Sequence, residues 1–292
     1  MTETTAVTSL TLPAPAKLNL MLHITGRRAN GYHELQTLFQ FLDYGDQLTF
    51  SARSDDQINL TPAIDGVASE DNLIVKAARC IQQAQRTLGQ TLGGVDIELT
   101  KILPMGGGLG GGSSDAATTL LALNSLWQVG LNLDELADIG LALGADVPVF
   151  VHGYAAFAEG VGEQLTPVPE LAERWFVVIH PNVHANTAEI FQHKDLTRNT
   201  PAISIRIALE QGGRNDCQAV VQKLYPDVDN ALKTLAKFAP AQMTGTGACV
   251  FASFDTESEA FSAFEQINTE YRAFVARGVN QSPAHTLLFS AS

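Results

Sequence analysis

The chain begins its patterned region with a period of two. In Ala16-Lys17-Leu18-Asn19-Leu20-Met21-Leu22, an extended strand puts Leu18, Leu20 and Leu22 on one face and Lys17 with Asn19 on the other, so two polar groups are presented together. A turn over 26–31 leads to a second apolar-rich stretch at 32–42, and a further strand is expected over 46–52. The period then lengthens. Apolar residues recur at helical spacing from Leu73 to Ile81 behind a cap expected at Asp71-Asn72, and from Leu133 to Leu143 between the N-cap Asn132 and a Gly144 stop. Between these helices Val95–Leu99 alternates as a strand. Val147–Val151 reads as extended, with Ala155–Ala158 its hairpin partner across His152 and Gly153.

Farther on, strands are expected over 175–180 and 249–253, and helices over 189–191, 215–224, 228–238 and 257–266. The segment 163–173, carrying Pro167 and Pro169, is the best boundary. It divides an N-terminal lobe of residues 1–168, with 1–12 as a frayed tail, from a C-terminal lobe of residues 169–292. Strands and helices mix in both halves with short connections and no internal repeat, which points to an α+β fold.

One segment breaks both periods. Pro104-Met105-Gly106-Gly107-Gly108-Leu109-Gly110-Gly111-Gly112-Ser113-Ser114 joins the strand at 95–99 to a good helix former starting at Ala116. Glycine lets backbone approach a ligand closely, and the first N–H groups of the following helix have no intrahelical partner, so the segment is expected to be a phosphate cradle. Ser113 or Ser114 is placed to cap the helix or to touch a phosphate or its metal ion. Gly106-x-Gly108-x-x-Gly111 satisfies a dinucleotide fingerprint, but such loops sit in the first strand–helix unit, and about ninety residues precede this one. A Walker loop needs a lysine after its last glycine, and Ser113-Ser114 stands there instead. The protein-kinase glycine loop joins two strands and is followed by motifs absent here. A flexible linker would be polar on both sides, whereas this loop is bracketed by apolar periodic elements.

Composition narrows the partners. With 292 residues, 45% hydrophobic and 17% charged, the chain has ample apolar surface for a large core, and no apolar run approaches a membrane span. The first ten residues lack the basic and apolar regions of a secretory signal, so a soluble cytoplasmic protein is expected. A net charge of −13 disfavours nucleic acid and anionic membranes, so any phosphate ligand has to be held by backbone dipoles, a few local cations and a metal. Cys80, Cys217 and Cys249 are scattered and read as reduced thiols, and Pro181-Asn182 between His180 and His184 argues against a helical zinc pair. The sequence gives no reading of oligomeric state.

Taken in order, Pro15-Ala16-Lys17-Leu18-Asn19-Leu20, Gly31-Tyr32-His33, the glycine run, Gly144-Ala145-Asp146-Val147-Pro148 and Thr244-Gly245-Thr246-Gly247-Ala248 resemble the GHMP family of small-molecule kinases. The resemblance spans nearly the whole chain. It implies a two-lobed fold with the active site in the inter-lobe cleft, ATP and Mg²⁺ as cofactors, and, from the branch most similar, a cytidyl diphosphate methylerythritol substrate. It also implies that Lys17 and Asp146 form the catalytic pair and that Pro104 to Ser114, with Lys101 nearby, hold ATP. Asn19, Thr187, His33, Tyr32 and Phe191 fall on the substrate side, with Tyr32 and Phe191 stacking on the cytosine and His33 at its edge. Thr244, Gly245, Thr246 and Gly247 would close over the transferred phosphate. Asn215-Asp216-Cys217 matches a segment near the cleft of related enzymes and receives no chemical role. The alternatives are a GHMP kinase for homoserine, mevalonate or a sugar, and a non-catalytic nucleotide sensor. Tyr32-His33 disfavours the first, since those substrates lack a nucleobase, and retention of both Lys17 and Asp146 disfavours the second.

Overall fold

The computed structural model describes residues 8–29, 31–64 and 66–290. Two long strands, β1 (Ser9–Arg27) and β2 (His33–Arg53), are followed by β3 (Ile58–Thr61), α1 (Leu73–Thr87), β4 (Gly94–Thr100), α2 (Gly111–Leu126), α3 (Leu133–Leu143), α4 (Val147–His152) and the hairpin β5 (Ala156–Glu159) and β6 (Gln164–Pro167). The rest is β7 (Trp175–His180), α5 (Thr187–Gln192), α6 (Ile205–Gln211), α7 (Gln218–Leu224), α8 (Pro226–Leu235), β8 (Ala241–Met243), β9 (Val250–Phe254), α9 (Glu257–Ile267), β10 (Arg272–Val279) and α10 (Pro283–Phe289). The mixed α+β class expected from the sequence holds. None of these helices is long and apolar enough to cross a membrane.

The sheet runs β3-β4-β2-β10-β7-β9-β8, and β2 is its hub. One stretch of β2 pairs with β4, another with β5, and β1 lies antiparallel along most of its length. The two halves of the sheet meet where Phe41 and Leu42 pair with Val279 and Gly278. That junction is tight: a β-carbon on Gly278 would lie 2.7 Å from Gln40 Oε1 and from the Phe176 ring.

Two cores flank the junction. The first packs α1, α2, α3 and α4 against the β1/β2/β4 region through Phe41, Phe50, Ile81, Leu120 and Phe150. The helix α2 is buried at every position from Ser114 to Leu123, because neighbouring helices and β1 surround it and enclose the polar Ser114, Asp115, Thr118 and Thr119 along with its apolar residues. The second core joins α5, α7, α8 and α9 to the β7/β9 region, and it takes in Leu22 and Ile24 from β1. In return, Val279 and Leu288 near the C-terminus pack on the first core.

Several expectations change. The frayed tail ends early, because Ser9 to Leu12 pair with Ser51 to Leu48 and Leu12 is fully buried; residues 1–7 lie outside the described residues. The two strands expected over 32–42 and 46–52 are one, since a register shift between Pro15 and Lys17 absorbs Asp43-Tyr44 as a bulge. Gly45 follows the bulge where a β-carbon would collide with the Ala14 carbonyl. A second shift between Asn19 and Met21 breaks the alternation, so Leu22 joins Lys17 and Asn19 at the cleft and leaves the face of Leu18. Val147–Val151 is helical, not extended. This β-branched run is buried throughout in the first core, and packing overrides its strand propensity, with Pro148 harmless in the first turn.

Candidate active site

The register of β1 against β2 assembles the centre of the cleft. Lys17 Nζ donates to Asn19 Oδ1 at 2.6 Å and lies 3.2 Å from Asp146 Oδ2. Asn19 Nδ2 donates to Thr37 Oγ1 at 2.8 Å, and that hydroxyl donates to the Met21 carbonyl at 2.6 Å. Lys17 is 3% exposed and its ammonium also stands 5.3 Å over the Phe39 ring. A lysine this buried is costly unless paired, so its charge and that of Asp146 hold each other in place. Asp146, 36% exposed, opens onto a cavity of about 590 Å³ shared with Lys17, Asn19, Ser113 and His184. A lysine-steadied carboxylate at a cavity wall suits taking a proton from an alcohol.

The glycine loop is clamped on both sides. Lys17 N–H donates to the Leu109 carbonyl at 2.9 Å, and Cys249 N–H to the Gly107 carbonyl at 3.0 Å. Gly108 has φ +76°, and a β-carbon there would collide with the Thr244 carbonyl; Thr244 Oγ1 donates to the Gly108 carbonyl at 3.3 Å. The helix begins sooner than expected, with Gly110 as N-cap at φ +74°, so neither Ser113 nor Ser114 caps it. The N–H groups of Gly111, Gly112 and Ser113 precede the first helical hydrogen bond, from Ser114 to the Gly110 carbonyl. Of the two serines, Ser113 lines the cleft; Ser114 Oγ is buried without a hydrogen-bond partner among the described residues. Leu109 turns its side chain into the core, and Met105 is 55% exposed.

Beyond the loop lies a second cavity of about 370 Å³, lined by Ile64, Leu73, Lys101, Pro104, Met105 and Asp115 among others. Lys101 Nζ sits 2.5 Å from Asp46 Oδ2 and 2.6 Å from Asp115 Oδ2. Burial pushes the Asp115 carboxyl up to about 7 even though Lys101 pulls it down. For Lys101 burial lowers the pKa, but the two aspartates outweigh it and the net shift is upward. Asp46 also accepts the Ile102 and Leu103 N–H groups at 2.6 and 2.8 Å, which fixes the start of the loop.

A third cavity of about 610 Å³ opens from the cleft and holds Tyr32, His33, Thr187 and Phe191. It shares Leu35, Ala145, Val161, Thr187 and Phe191 with the central one. His33 stacks on Phe191 at 5.1 Å between centroids and 21° between planes. Burial, then the charges of Arg198 and Arg27, lower the His33 pKa. Tyr32 is 63% exposed at the rim. Thr187 Oγ1 meets Thr246 Oγ1 at 2.9 Å, tying this wall to the segment Thr244–Gly247.

Of the site residues expected from the sequence, all but the buried Ser114 and Thr244 line three connected cavities. Sequence reasoning missed Thr37, whose role depends on pairing across strands; Asn215, noted near the cleft but given no role, donates from Nδ2 to the carbonyls of Met243 and Gly245 at 2.8 Å each and shapes the 244–247 loop. It also missed His184, which packs so closely on Gly106 that a β-carbon there would collide with its ring. Among the described residues no group of three or more His, Cys, Asp or Glu is arranged to hold a metal ion.

Residues 72–154 match the GHMP kinases N terminal domain and residues 195–273 match the GHMP kinases C terminal domain. The chain belongs to the GHMP kinase family and is a small-molecule kinase. More particularly, it is 61% identical over 279 residues to the 4-diphosphocytidyl-2-C-methyl-D-erythritol kinase of Ectopseudomonas mendocina (strain ymp), covering 96% of this chain and 94% of the relative. A crystal structure of 4-(cytidine 5'-diphospho)-2C-methyl-D-erythritol kinase superposes with a TM-score of 0.80 at 32% identity, covering 93% of this chain and 100% of that one. A homoserine kinase from Cytophaga hutchinsonii shares the fold at a TM-score of 0.68 and 16% identity, over 97% of this chain and 98% of its own.

Proposed function

We propose that the chain transfers the γ-phosphoryl group of ATP to the 2-hydroxyl of 4-diphosphocytidyl-2-C-methyl-D-erythritol, a step of non-mevalonate isoprenoid precursor synthesis. ATP occupies the cavity beyond Lys101, with its phosphates against the N–H groups of residues 111–113. The cytidyl end lies between Tyr32 and Phe191 with His33 at the base edge, and Asn19 and Thr187 line the path to the reacting hydroxyl. Asp146 accepts the hydroxyl proton while Lys17, 3.2 Å from that carboxylate, positions it and faces the phosphate charge. The segment from Thr244 to Gly247 closes over the transferred group. The observation that carries this reading is the Lys17–Asp146 pair, 3.2 Å apart, standing where the loop-lined cavity meets the aromatic-walled one.

Oxygen donors from Ser113 and Asp146 line the central cavity, and hard oxygens suit Mg²⁺; bound with ATP, it would neutralise phosphate charge. Residues 1–168 form the ATP-binding lobe and 169–292 the substrate lobe in this reading. The two hydrophobic cores support that division, with the end of β1 and the C-terminal segment crossing it. The cytoplasm is the proposed compartment, in keeping with three unpaired cysteines, two of them deeply buried.

The test is ADP release with the cytidyl substrate, mevalonate, homoserine and galactose as acceptors, together with phosphorus NMR of the product. Turnover confined to the cytidyl substrate, with a new phosphomonoester on its 2-hydroxyl, is expected. Equal turnover of an acceptor lacking a base, or ATP binding without transfer to any acceptor, would overturn the assignment.

A further inference from the structure

Arg198 lies in the connection between α5 and α6, outside every motif noted in the sequence. It has no carboxylate partner among the described ion pairs; its donors all go to neutral acceptors. Nη2 donates to the carbonyls of Phe191 and His193 at 2.8 and 2.9 Å, and Nη1 to that of Leu196 at 3.1 Å. Nε donates to His33 Nε2 at 3.1 Å. One planar fork therefore joins the end of α5, which carries Phe191, to the start of β2, which carries His33.

The last contact has a chemical consequence. A guanidinium can only donate, so His33 Nε2 must accept, and the ring proton of the neutral imidazole resides on Nδ1. No described protein group accepts from that nitrogen, so the ring keeps one donor at the cavity wall. Along its pairing edge cytosine presents the N3 and O2 acceptors beside its N4 amino donor; an Nδ1–H donor matches the two acceptors, whereas the opposite tautomer would meet only the amino group.

We propose that Arg198 is a positioning residue for the nucleobase end of the substrate, fixing His33 in its Nδ1–H tautomer and holding the Phe191 wall before the substrate arrives. The inference rests on the cytidyl reading above. A fork that merely satisfied the orphan carbonyls ending α5 would support the fold and leave the His33 tautomer free.

The experiment has two parts. Nitrogen NMR of wild-type His33 in the full chain, without substrate, is expected to show Nε2 unprotonated and Nδ1 protonated; a proton on Nε2 overturns the proposal whatever the variants do. In Arg198→Gln and Arg198→Lys the tautomer preference is lost, and KM for the cytidyl substrate rises about tenfold or more, while kcat and the KM for ATP stay within about twofold. Unchanged cytidyl KM in folded variants, or equal losses for both substrates, contradicts it. Failure of the wild type to use the cytidyl substrate sinks the functional reading instead, and the tautomer measurement still judges the role of Arg198.

Discussion

The phosphoryl end of the cleft and its nucleobase end are built in opposite ways. Lys17, Asn19 and Thr37 sit on the two long strands at the centre of the molecule, all within 3% of full burial, and each is tied to the next by a hydrogen bond. The glycine loop beside them is pinned to β1 and to the 244–249 segment through its own backbone. At the other end, Phe191 rides on a six-residue helix, Tyr32 is 63% exposed, and one guanidinium joins the walls. The difference follows from what each end must do. Phosphoryl transfer loses rate steeply when reacting groups are displaced, so its groups belong on the sheet. Recognition of a flat base needs apolar faces and a few donors, which peripheral elements can supply.

The comparison is broken most directly at Gly108. A valine there must hold φ +76° and push a branched side chain into the Thr244 carbonyl, so ATP affinity should fall by roughly 100-fold in the folded variant. Calorimetric titration with ATP measures it, and unchanged affinity would contradict the cradle. A smaller change is expected at the rim, where Tyr32→Ala should weaken the cytidyl substrate by about 1–3 kcal/mol and leave ATP affinity alone. Equal losses for both ligands, or none, would make Tyr32 a packing residue and erase the distinction between the ends.

The smallest effect belongs to Asp115, beneath the loop. Its folded-state pKa is raised to about 7 by burial, against an ordinary value of 3.8, so the folded protein holds a proton that the unfolded chain releases. That contribution is complete below about pH 4 and is lost as pH rises through about 7. Asp115→Asn should therefore flatten the fall of Tm between pH 5 and 8, an experimental window of about three units around the shift. An unaltered slope would contradict the account of this buried group.

Local chemistry was legible wherever a single segment decides it. Asn132 caps α3, Asn72 of the expected Asp71-Asn72 pair caps α1, and the glycine run leads into a helix. Lys17 and Asp146 lie 129 positions apart, and only the ordered resemblance linked them before the structure placed them 3.2 Å apart. What stayed hidden depends on pairing and burial. The gap at 43–45 between the two expected strands closes only when β1 supplies a partner that absorbs Asp43-Tyr44 as a bulge. Val147–Val151 has strand composition, and its helix is imposed by burial from all sides. Arg198 carries no signal, since its importance comes from three carbonyls and a histidine distant in sequence.

The central claim is that the buried lysine and the half-buried aspartate act as one catalytic unit. Steady-state kinetics of Asp146→Asn, Lys17→Met and the double variant, with both substrates saturating, test it most directly. Asp146→Asn keeps the shape and removes the charge, so kcat should fall about 10²–10⁴-fold with little change in the binding of either substrate. The double variant should be far less impaired than the product of the single losses, because residues acting as a unit are not additive. Near wild-type turnover of Asp146→Asn across pH, or losses that multiply fully, would contradict it.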